Sequence, residues 1–437
     1  MSHPGSTNAP VAGRVGKWQG IQDCVHCGLC LTSCPTYLST GVEMSSPRGR
    51  LVLIRAGESR STTLSPVMVR HLDQCLGCLA CEEACPSTVP YGQILHEARE
   101  QIGQEFQRGT LDRVLRWVLL RLFPYPERLG AFLGGLHLCQ RLGVVEWAAR
   151  SRTLNALVPR LAGMASLLPK LAPAAERQPL PVVTPAEGLK RGRIALLTGC
   201  AQRALLPGIN RATVRVLAAA GYEVVAPTDQ GCCGALHLHA GDVSGARRLG
   251  QALMQSFEGA GAELIVSNAA GCGAAMKGYG QLFADDPAWQ SRATMFASKV
   301  RDVSEILAGV TWNGRLQPVP LTVTYHDACH LAHGQRIRNE PRALLEAIPA
   351  LRLVELPESD VCCGSGGVYN VLQPRMARLV LDRKIHHIVG TGASVVAAGN
   401  IGCLLQLRAG LVEAALPVRC LHPVELVDWS LHGQPNE

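Results

Sequence analysis

The stretch CVHCGLCLTSCP, residues 24–35, decides the first part of the fold, and CLGCLACEEACP, residues 75–86, repeats its pattern. In each stretch three cysteines are separated by two residues, a fourth follows after three more, and a proline comes next. Cysteines crowded at short spacings in a reducing compartment are metal ligands or redox groups rather than disulfides. The two stretches therefore predict metal centres held by thiolates.

This spacing is the one with which bacterial ferredoxins hold [4Fe–4S] clusters. Three closely spaced cysteines on one loop reach three irons of a cube, while the fourth begins a departing helix and ligates the other cube. We predict one cluster on Cys24, Cys27, Cys30 and Cys85 and a second on Cys75, Cys78, Cys81 and Cys34. Two zinc sites or a disulfide frame are the alternatives, but zinc gives no reason for the full spacing with its proline.

Length and composition limit the class of protein. The chain has 437 residues, 47% hydrophobic and 17% charged, so several folded domains are expected rather than disorder. The net charge is +8 with 4% aromatic residues, and the scattered basic residues do not indicate nucleic-acid binding. Residues 1–20 lack a signal-peptide core, and no run has the roughly 18 apolar residues of a membrane span. We expect a cytoplasmic chain.

The sequence divides into segments that differ in composition and hydrophobic pattern. Residues 1–20 are predicted to be a flexible leader, residues 21–100 a ferredoxin-like domain with both cluster sites, and residues 101–191 a helical connector and linker. Prolines at 124, 126 and 159 should break the connector into short helices. Its basic, apolar segment 111–170 either lies on anionic lipid or a membrane partner, or forms a helical bundle between the two halves of the chain.

From residue 192 onward short apolar strands alternate with helices, which indicates parallel α/β units. Strands are predicted at 194–198, 223–226, 263–267, 321–325, 353–356 and 394–398, with helices at 207–220 and 341–348. The cysteines recur along the chain: Cys329 follows Cys200 by 129 residues, and Cys403 follows Cys272 by 131. We therefore predict a duplicated domain, with one repeat at 192–310 and the other at 311–437.

Each repeat carries four cysteines after predicted strands, where parallel sheets collect their ligands. They are Cys200, Cys232, Cys233 and Cys272 in the first repeat, and Cys329, Cys362, Cys363 and Cys403 in the second. A glycine beside each pair would allow the sharp turn that brings adjacent thiols to one centre. Each set suffices for a further iron–sulfur centre; a redox dithiol or metal-free thiols are the alternatives. His326 and His330, flanking Cys329, are candidate ligands, proton donors or hydrogen-bonding structural residues.

The complete pattern resembles the iron–sulfur subunit of glycolate oxidase, also called glycolate dehydrogenase, from Asp23 to Val427. Besides the cysteines, the resemblance rests on CVHCG at 24–28, SPRGR at 46–50, GCAQ at 199–202, GCGA at 271–274, KGYG at 277–280 and NIGC at 400–403. It implies an α+β multidomain protein: a helical ferredoxin-like domain with two [4Fe–4S] sites, then a duplicated α/β cysteine-rich domain with the paired Cys-Cys-Gly motif.

The resemblance also implies a role. Flavin-containing subunits would oxidise glycolate to glyoxylate, and this chain would pass the electrons toward a membrane quinone while bound peripherally at the inner face of the cell membrane. It would thus be part of an enzyme without a catalytic residue of its own, in keeping with the missing G-x-G-x-x-G and P-loop motifs. The iron–sulfur subunit of a glycerol-3-phosphate or lactate dehydrogenase, and a disulfide reductase using the paired cysteines, are the alternatives.

One departure concerns the repeats. In heterodisulfide reductase, a member of the wider group, the last motif of the paired-cysteine domain is Cys-x-x-Cys. Here Ala269 and Asn400 stand at the earlier position, so each repeat has four cysteines instead of five. A non-cubane centre of the heterodisulfide type is therefore not expected.

Overall fold

The computed structural model describes residues 20–59, 64–144, 147 and 178–435. A helical N-terminal part is followed by two α/β units, each built on its own sheet. Apart from Gly20, the expected leader lies outside the described residues, as does most of the segment between residues 145 and 177, including Pro159.

The N-terminal part consists of short helices around one small core. They are three 3-10 turns, Ile21–Asp23, Leu29–Leu31 and Glu43–Ser45, and five α-helices: α1 Pro35–Thr40, α2 Pro47–Ser59, α3 Pro66–Asp73, α4 Ala80–Glu83 and α5 Tyr91–Glu105. Leu72 and Ile94 are fully buried where α3 and α5 meet. Helix α5 continues past residue 100, so the expected domain boundary falls inside a helix.

The two prolines that follow the fourth cysteines behave differently. Pro35 is the first residue of α1 and Cys34 is its N-cap, in agreement with the prediction that this cysteine begins a helix. Cys85 begins no helix, because residues 84–90 form turns in which Thr88 has φ +50°.

The connector contains α6 Thr110–Leu122 and α7 Pro126–Arg141, separated at Pro124 and Pro126 as predicted. Leu119 of α6 packs against Val368 and Leu372 of the second unit. Leu129 and Leu133 of α7 pack against Leu205 of the first unit. The described part of the connector thus contacts both repeats, and no helix within the described ranges is long and apolar enough to cross a membrane.

The first α/β unit has a five-stranded sheet of order β1-β3-β2-β4-β5, parallel except for β1. Its strands are β1 Val183–Thr184, β2 Gly192–Leu197, β3 Tyr222–Val225, β4 Leu264–Ser267 and β5 Val300–Asp302. Its helices are α8 Cys200–Leu205, α9 Pro207–Ala219, α10 Ala235–Ala240, α11 Val243–Glu258, α12 Ala270–Lys277, α13 Tyr279–Leu282, α14 Gln290–Lys299 and α15 Val303–Leu307.

The second unit has a four-stranded parallel sheet of order β7-β6-β8-β9. Its strands are β6 Thr322–Tyr325, β7 Arg352–Val354, β8 Val395–Ala397 and β9 Arg419–Leu421. Its helices are α16 Cys329–Ala332, α17 Asn339–Glu346, α18 Tyr369–Leu372, α19 Pro374–Gly390, α20 Ile401–Glu413 and α21 Pro423–His432. This order matches β3-β2-β4-β5 of the first unit, as a duplication requires.

The six strands predicted from the sequence are all present, within two residues at each end. Strands β1, β5 and β9 were not predicted; they have two or three residues each, too few to show a hydrophobic pattern. One continuous core joins the two sheets, with Leu196 and Val266 from the first and Val323 and Val396 from the second. The packed sheets hold the two sets of repeat cysteines in fixed positions.

Candidate metal centres

The second ferredoxin site is a small cavity lined by four cysteines, Cys34, Cys75, Cys78 and Cys81. Cys75 and Cys78 come from the loop before α4, Cys81 lies on α4, and Cys34 comes from the first cysteine stretch. The structure thus brings Cys34 to the second loop, which is the crossing that the spacing predicts. Four thiols around one cavity are the donor set that a [4Fe–4S] cluster uses, so these residues fit it.

A buried arginine lies beside this site. The Arg50 side chain is 1% exposed, its Nη1 is 3.9 Å from Cys34 Sγ, and it donates to Thr36 Oγ1 and to the His71 carbonyl at 3.0 and 2.8 Å. Burial by itself would lower the pKa of Arg50, but the negative charge of the neighbouring thiolates, Cys75 foremost, raises it above the ordinary value. A fixed positive charge therefore faces the sulfurs.

The Cys75 sulfur is stabilised as a thiolate. Tyr91 donates its hydroxyl to Cys75 Sγ at 3.5 Å, and the Gly77 amide donates to the same atom at 3.4 Å. Burial would raise the pKa of Cys75, but the charges of Arg50 and Arg99 outweigh it and the pKa is lowered. The thiolate is the form that binds metal.

The pKa values of Cys78 and Cys81 are shifted in the opposite direction from that of Cys75. Burial and the neighbouring thiols raise the pKa of both well above the ordinary value. Several thiolates close together in a buried cavity repel one another unless a cation lies among them. A metal group would supply such a cation and allow these thiols to ionise together.

The first ferredoxin site, expected at Cys24, Cys27, Cys30 and Cys85, is closer to the surface. Cys24, Cys30 and Cys85 all pack at the margin of the N-terminal core, and Cys27 is exposed. His26 Nδ1 is 4.0 Å from Cys24 Sγ. Three of the four expected ligands thus share the margin of one core, and Cys27 lies at the surface beside them in sequence.

The apolar residues of the two loops shield the sulfurs unequally. The sequence places four apolar residues between these cysteines, Val25, Leu29, Leu76 and Leu79, and by their type we expect them to cover the sulfurs. Leu76 is 4% exposed, but Val25 is 69% and Leu29 is 55% exposed, so these two do not cover the first loop. The difference follows from packing, because Leu76 is held against the second repeat while the first loop has no protein layer above it among the described residues.

The first repeat site is formed by Cys200, Cys232, Cys233 and Cys272. Cys200 Sγ and Cys232 Sγ are 3.4 Å apart, and Cys233 contacts both Cys232 and Cys272. The turn depends on Gly234, whose φ is +81° and whose added Cβ would lie 2.8 Å from the Ala246 carbonyl oxygen. The structure thus brings all four thiols together.

The second repeat site is formed in the same way by Cys329, Cys362, Cys363 and Cys403. Cys362 contacts Cys329 and Cys363, and Cys363 contacts Cys403. Gly364 has φ +90°, and a Cβ there would lie 2.6 Å from the Ala377 carbonyl oxygen.

Asn400, which replaces a fifth cysteine, connects the two repeat sites. Its amide nitrogen donates to Cys403 Sγ at 3.5 Å, and its side-chain oxygen accepts from the Gly271 amide at 3.2 Å. Gly271 directly precedes Cys272 of the first repeat site. The sequence offered no sign of this contact, because the two residues are 129 positions apart.

The two histidines beside Cys329 have different surroundings. His330 Nδ1 is 3.4 Å from Cys329 Sγ. His326 is completely buried, and neither of its ring nitrogens has a hydrogen-bond partner. Burial, with Lys384 nearby, lowers the pKa of His326 to about 3. The Ser359 backbone acts against this lowering, but no hydrogen bond of normal geometry to the His326 ring is observed.

The remaining two cysteines lie away from these sites. Cys420 is buried within β9, as expected of an ordinary small core residue, and burial raises its pKa to about 12. Cys139, on α7, is only partly buried.

The second ferredoxin site and the second repeat site are neighbours. Leu76 and Cys78 pack in one cluster with Cys329 and Cys362. The Tyr369 hydroxyl adds a hydrogen bond across the same boundary, donating to the Gln74 carbonyl oxygen at 2.9 Å. The sequence did not predict this proximity.

Two interlocked cysteine loops in a helical domain, followed by a duplicated α/β cysteine domain, define an iron–sulfur electron-transfer protein. Family models agree along the chain. A 4Fe-4S dicluster domain matches residues 20–89, a cysteine-rich domain matches 194–277 and again 323–408, and the linker region of the glycolate oxidase iron-sulfur subunit matches 111–168. The predicted fold class is confirmed.

Whole-chain relatives give the particular family. A probable glycolate oxidase iron-sulfur subunit of Bacillus subtilis is 36% identical over 413 residues, 93% of each chain. The glycolate oxidase iron-sulfur subunit of Escherichia coli is 33% identical over 426 residues, 95% of each. The chain therefore belongs to the family of glycolate oxidase iron–sulfur subunits.

More distant similarity extends to other proteins. Lactate utilization protein A of an Exiguobacterium species is 30% identical over 236 residues, 54% of this chain and 96% of that protein. The crystal structure of a hypothetical protein from Helicobacter pylori aligns with a TM-score of 0.42 and 9% identity, over 78% of this chain and 77% of that one, which is too weak to carry an argument.

Proposed function

We propose that this chain is the electron-transfer subunit of a glycolate-oxidising complex, receiving electrons from flavin-containing subunits that convert glycolate to glyoxylate and passing them toward a membrane quinone. The observation that carries the proposal is the cavity where Cys34 joins Cys75, Cys78 and Cys81. Membership in the family of glycolate oxidase iron–sulfur subunits supports the choice of substrate.

The ligand sets are part of the proposal. Cys24, Cys27, Cys30 and Cys85 would hold one [4Fe–4S] cluster, and Cys75, Cys78, Cys81 and Cys34 the other. Such clusters, when bound, accept and release single electrons at a potential set by nearby charge, hydrogen bonds and solvent. The chain contributes these influences through the Arg50 guanidinium and the hydrogen bonds to the Cys75 sulfur.

The exposure of the first ferredoxin site suits contact with a partner subunit. Cys27 is exposed, and Val25 and Leu29 present apolar side chains beside it. Exposed apolar residues around a functional group are typical of a docking surface. We therefore assign the flavin subunits to this side of the molecule, whereas the second ferredoxin site is enclosed by the chain itself.

The attachment to the membrane is assigned to the connector. On α6 the exposed face carries Leu111, Trp117 and Val118 together with Arg113 and Arg121. Apolar side chains mixed with basic ones suit the surface of an anionic bilayer. We propose a cytoplasmic chain bound peripherally to the inner face of the cell membrane, which is consistent with the lack of a spanning helix in the described ranges.

Lactate is the second candidate substrate, favoured by the similarity to lactate utilization protein A. That similarity covers 54% of the chain, whereas the match to the glycolate oxidase linker at 111–168 favours glycolate. The deciding experiment is to co-purify the flavin subunits with this chain and measure dye reduction with glycolate, lactate and glycerol 3-phosphate. The proposal requires that glycolate be the best of the three, and a complex without a glycolate response removes it.

The disulfide reductase alternative is tested separately. It requires that the isolated chain reduce a disulfide substrate, and that Cys362→Ser abolish this turnover while the N-terminal iron is retained. Our proposal expects no such turnover in the isolated chain.

A further inference from the structure

We propose that the second repeat site holds an iron–sulfur centre in which His326 is a ligand together with Cys329, Cys362, Cys363 and Cys403. This inference rests on the proposed function as an electron-transfer subunit and goes beyond it, because it adds a third centre with a mixed cysteine–histidine ligand set.

The geometry of the donors is the first argument. One ring nitrogen of His326 and the sulfurs of Cys363 and Cys403 all lie within 4.8 Å of one another, and all three residues are buried. Donors this close can bind a single iron atom. Cys362 and Cys329 continue the set, since Cys363 contacts Cys362 and Cys362 contacts Cys329.

The unpartnered ring is the second argument. The His326 backbone is fixed by a hydrogen bond from its amide to the Ala397 carbonyl at 2.9 Å, at the carboxyl end of β6. Neither ring nitrogen has a partner at hydrogen-bond geometry, although the Ser359 backbone lies nearby, and in protein interiors nearly all polar groups are hydrogen-bonded. Leaving such a group without a partner is unfavourable. A metal ligand role accounts for one of the two nitrogens.

The comparison of the two repeats is the third argument. Cys329 and Cys200 occupy equivalent positions 129 residues apart. By the same offset, His326 corresponds to Leu197 of the first repeat, which is buried and apolar. The first repeat thus forms the same four-thiol arrangement without a histidine, so the fold does not require one. His326 is a specific addition to the second site.

A buried lysine distinguishes the second site in the same way. Lys384 is 2% exposed and lies near Cys362 and Cys363. Its Nζ donates to the carbonyl oxygens of Glu358 and Ser359. Ala377 lies against Gly364 in the second repeat as Ala246 lies against Gly234 in the first, and the two alanines are 131 residues apart. The same offset makes Leu253 the counterpart of Lys384 in the first repeat. Burial lowers the pKa of Lys384 and the two cysteines act against this, so an ammonium group here would be favoured by a negatively charged group of thiolates and metal.

The number of donors and the position of the site favour iron–sulfur chemistry over zinc. A structural zinc ion takes four ligands, and here four thiols and an imidazole converge. Cys78 of the second ferredoxin site packs against Cys329 and Cys362. An electron-transfer centre would be useful at this position, whereas an isolated zinc ion would not use the proximity.

The experiment is pulsed EPR on the full-length chain, purified anaerobically and reduced, with histidine labelled by ¹⁵N, together with iron and zinc analysis. We expect a nitrogen coupling from a directly bound imidazole that is lost in His326→Leu, the residue that the first repeat carries. His326→Gln serves as a second variant, and His330→Leu is the matched control that should keep the coupling.

The outcomes are distinct. If the nitrogen coupling is absent from the wild type, survives in His326→Leu, or disappears only in His330→Leu, the inference is wrong. Zinc in the second repeat site would also overturn it. In all of these cases the signals of the two N-terminal clusters would remain, and only their absence would count against the proposed function itself.

Discussion

Arg50 provides the sharpest test of how the chain sets the potential of the second ferredoxin site. Its guanidinium is buried, with Nη1 3.9 Å from Cys34 Sγ, and its charge also acts on Cys75. The reduced form of a bound cluster carries one more negative charge than the oxidised form. A positive charge beside it therefore stabilises the reduced form, and Arg50→Gln should lower the reduction potential.

The expected size follows from Coulomb's law. The added electron would be spread over the whole cluster, so we take an effective separation from the guanidinium of about 8 Å in Coulomb's law. At an effective dielectric constant of about 20 the interaction is then about 2 kcal/mol. For a one-electron couple this corresponds to a fall on the order of 90 mV. Arg50→Lys keeps the charge and should shift the potential by a small part of that amount.

The assay is an EPR-monitored redox titration of the full-length chain under anaerobic conditions. Iron content measured on the same samples shows that the cluster is retained. The potential of the first ferredoxin site serves as an internal reference and should stay unchanged. An unchanged or higher potential of the second site in Arg50→Gln, with iron retained, would refute the electrostatic role of this residue.

Three further predictions concern the interlocking loops and the stability of the repeats. Cys34→Ser should remove the EPR signal of the second ferredoxin site, the one whose potential responds to Arg50. Cys85→Ser should remove the signal of the first ferredoxin site. The reverse result would show that the loops do not cross. Gly364→Ala should lower the free energy of unfolding by about 3 kcal/mol, because a side chain is strained at φ +90° and meets a backbone oxygen. The control is Gly231→Ala, which has open space around it. In the same denaturant titration it should change the free energy of unfolding by less than about 0.5 kcal/mol. Burial raises the pKa of Asp302 to about 6 from 3.8, so the folded state holds this proton more tightly and the stabilisation present at pH 4 is lost as the pH rises to 7; relative to Asp302→Asn, the wild type should lose about 3 kcal/mol over this range, and parallel pH profiles would contradict the assignment.

The sequence predicted those parts of the molecule that depend on local spacing. The cysteine stretches at 24–35 and 75–86 predicted that Cys34 would join the second loop, and the structure places it there. The recurrence of the repeat cysteines predicted two equivalent sheets, whose strand orders agree. Both predictions succeed because residue spacing limits where a ligand can lie.

Features that depend on long-range packing could not be predicted in this way. The proximity of Cys78 to Cys329 depends on how the helical domain packs on the second repeat, which no spacing encodes. The lack of ring partners for His326 depends on the residues around it in three dimensions. Val25 and Leu29 were expected to be shielding residues because of their type, but their exposure depends on what lies above the loop.

The connector has one feature that local sequence predicts and one that depends on long-range packing. The break between α6 and α7 follows from the local effect of Pro124 and Pro126, and it was predicted. The burial of Leu119 and Leu129 against the two repeats was one of two open alternatives, since an amphipathic helix pattern is the same whether its apolar side meets protein or lipid.

The most direct test of the central claim is the number of iron and acid-labile sulfide atoms that the N-terminal cysteines hold. The count is compared between the anaerobically purified full-length chain and a variant with serine at all eight of these cysteines. We predict that the wild type contains about eight more iron atoms and about eight more sulfides per chain than the variant. Equal iron content in the two proteins, or zinc in place of iron, would contradict the account.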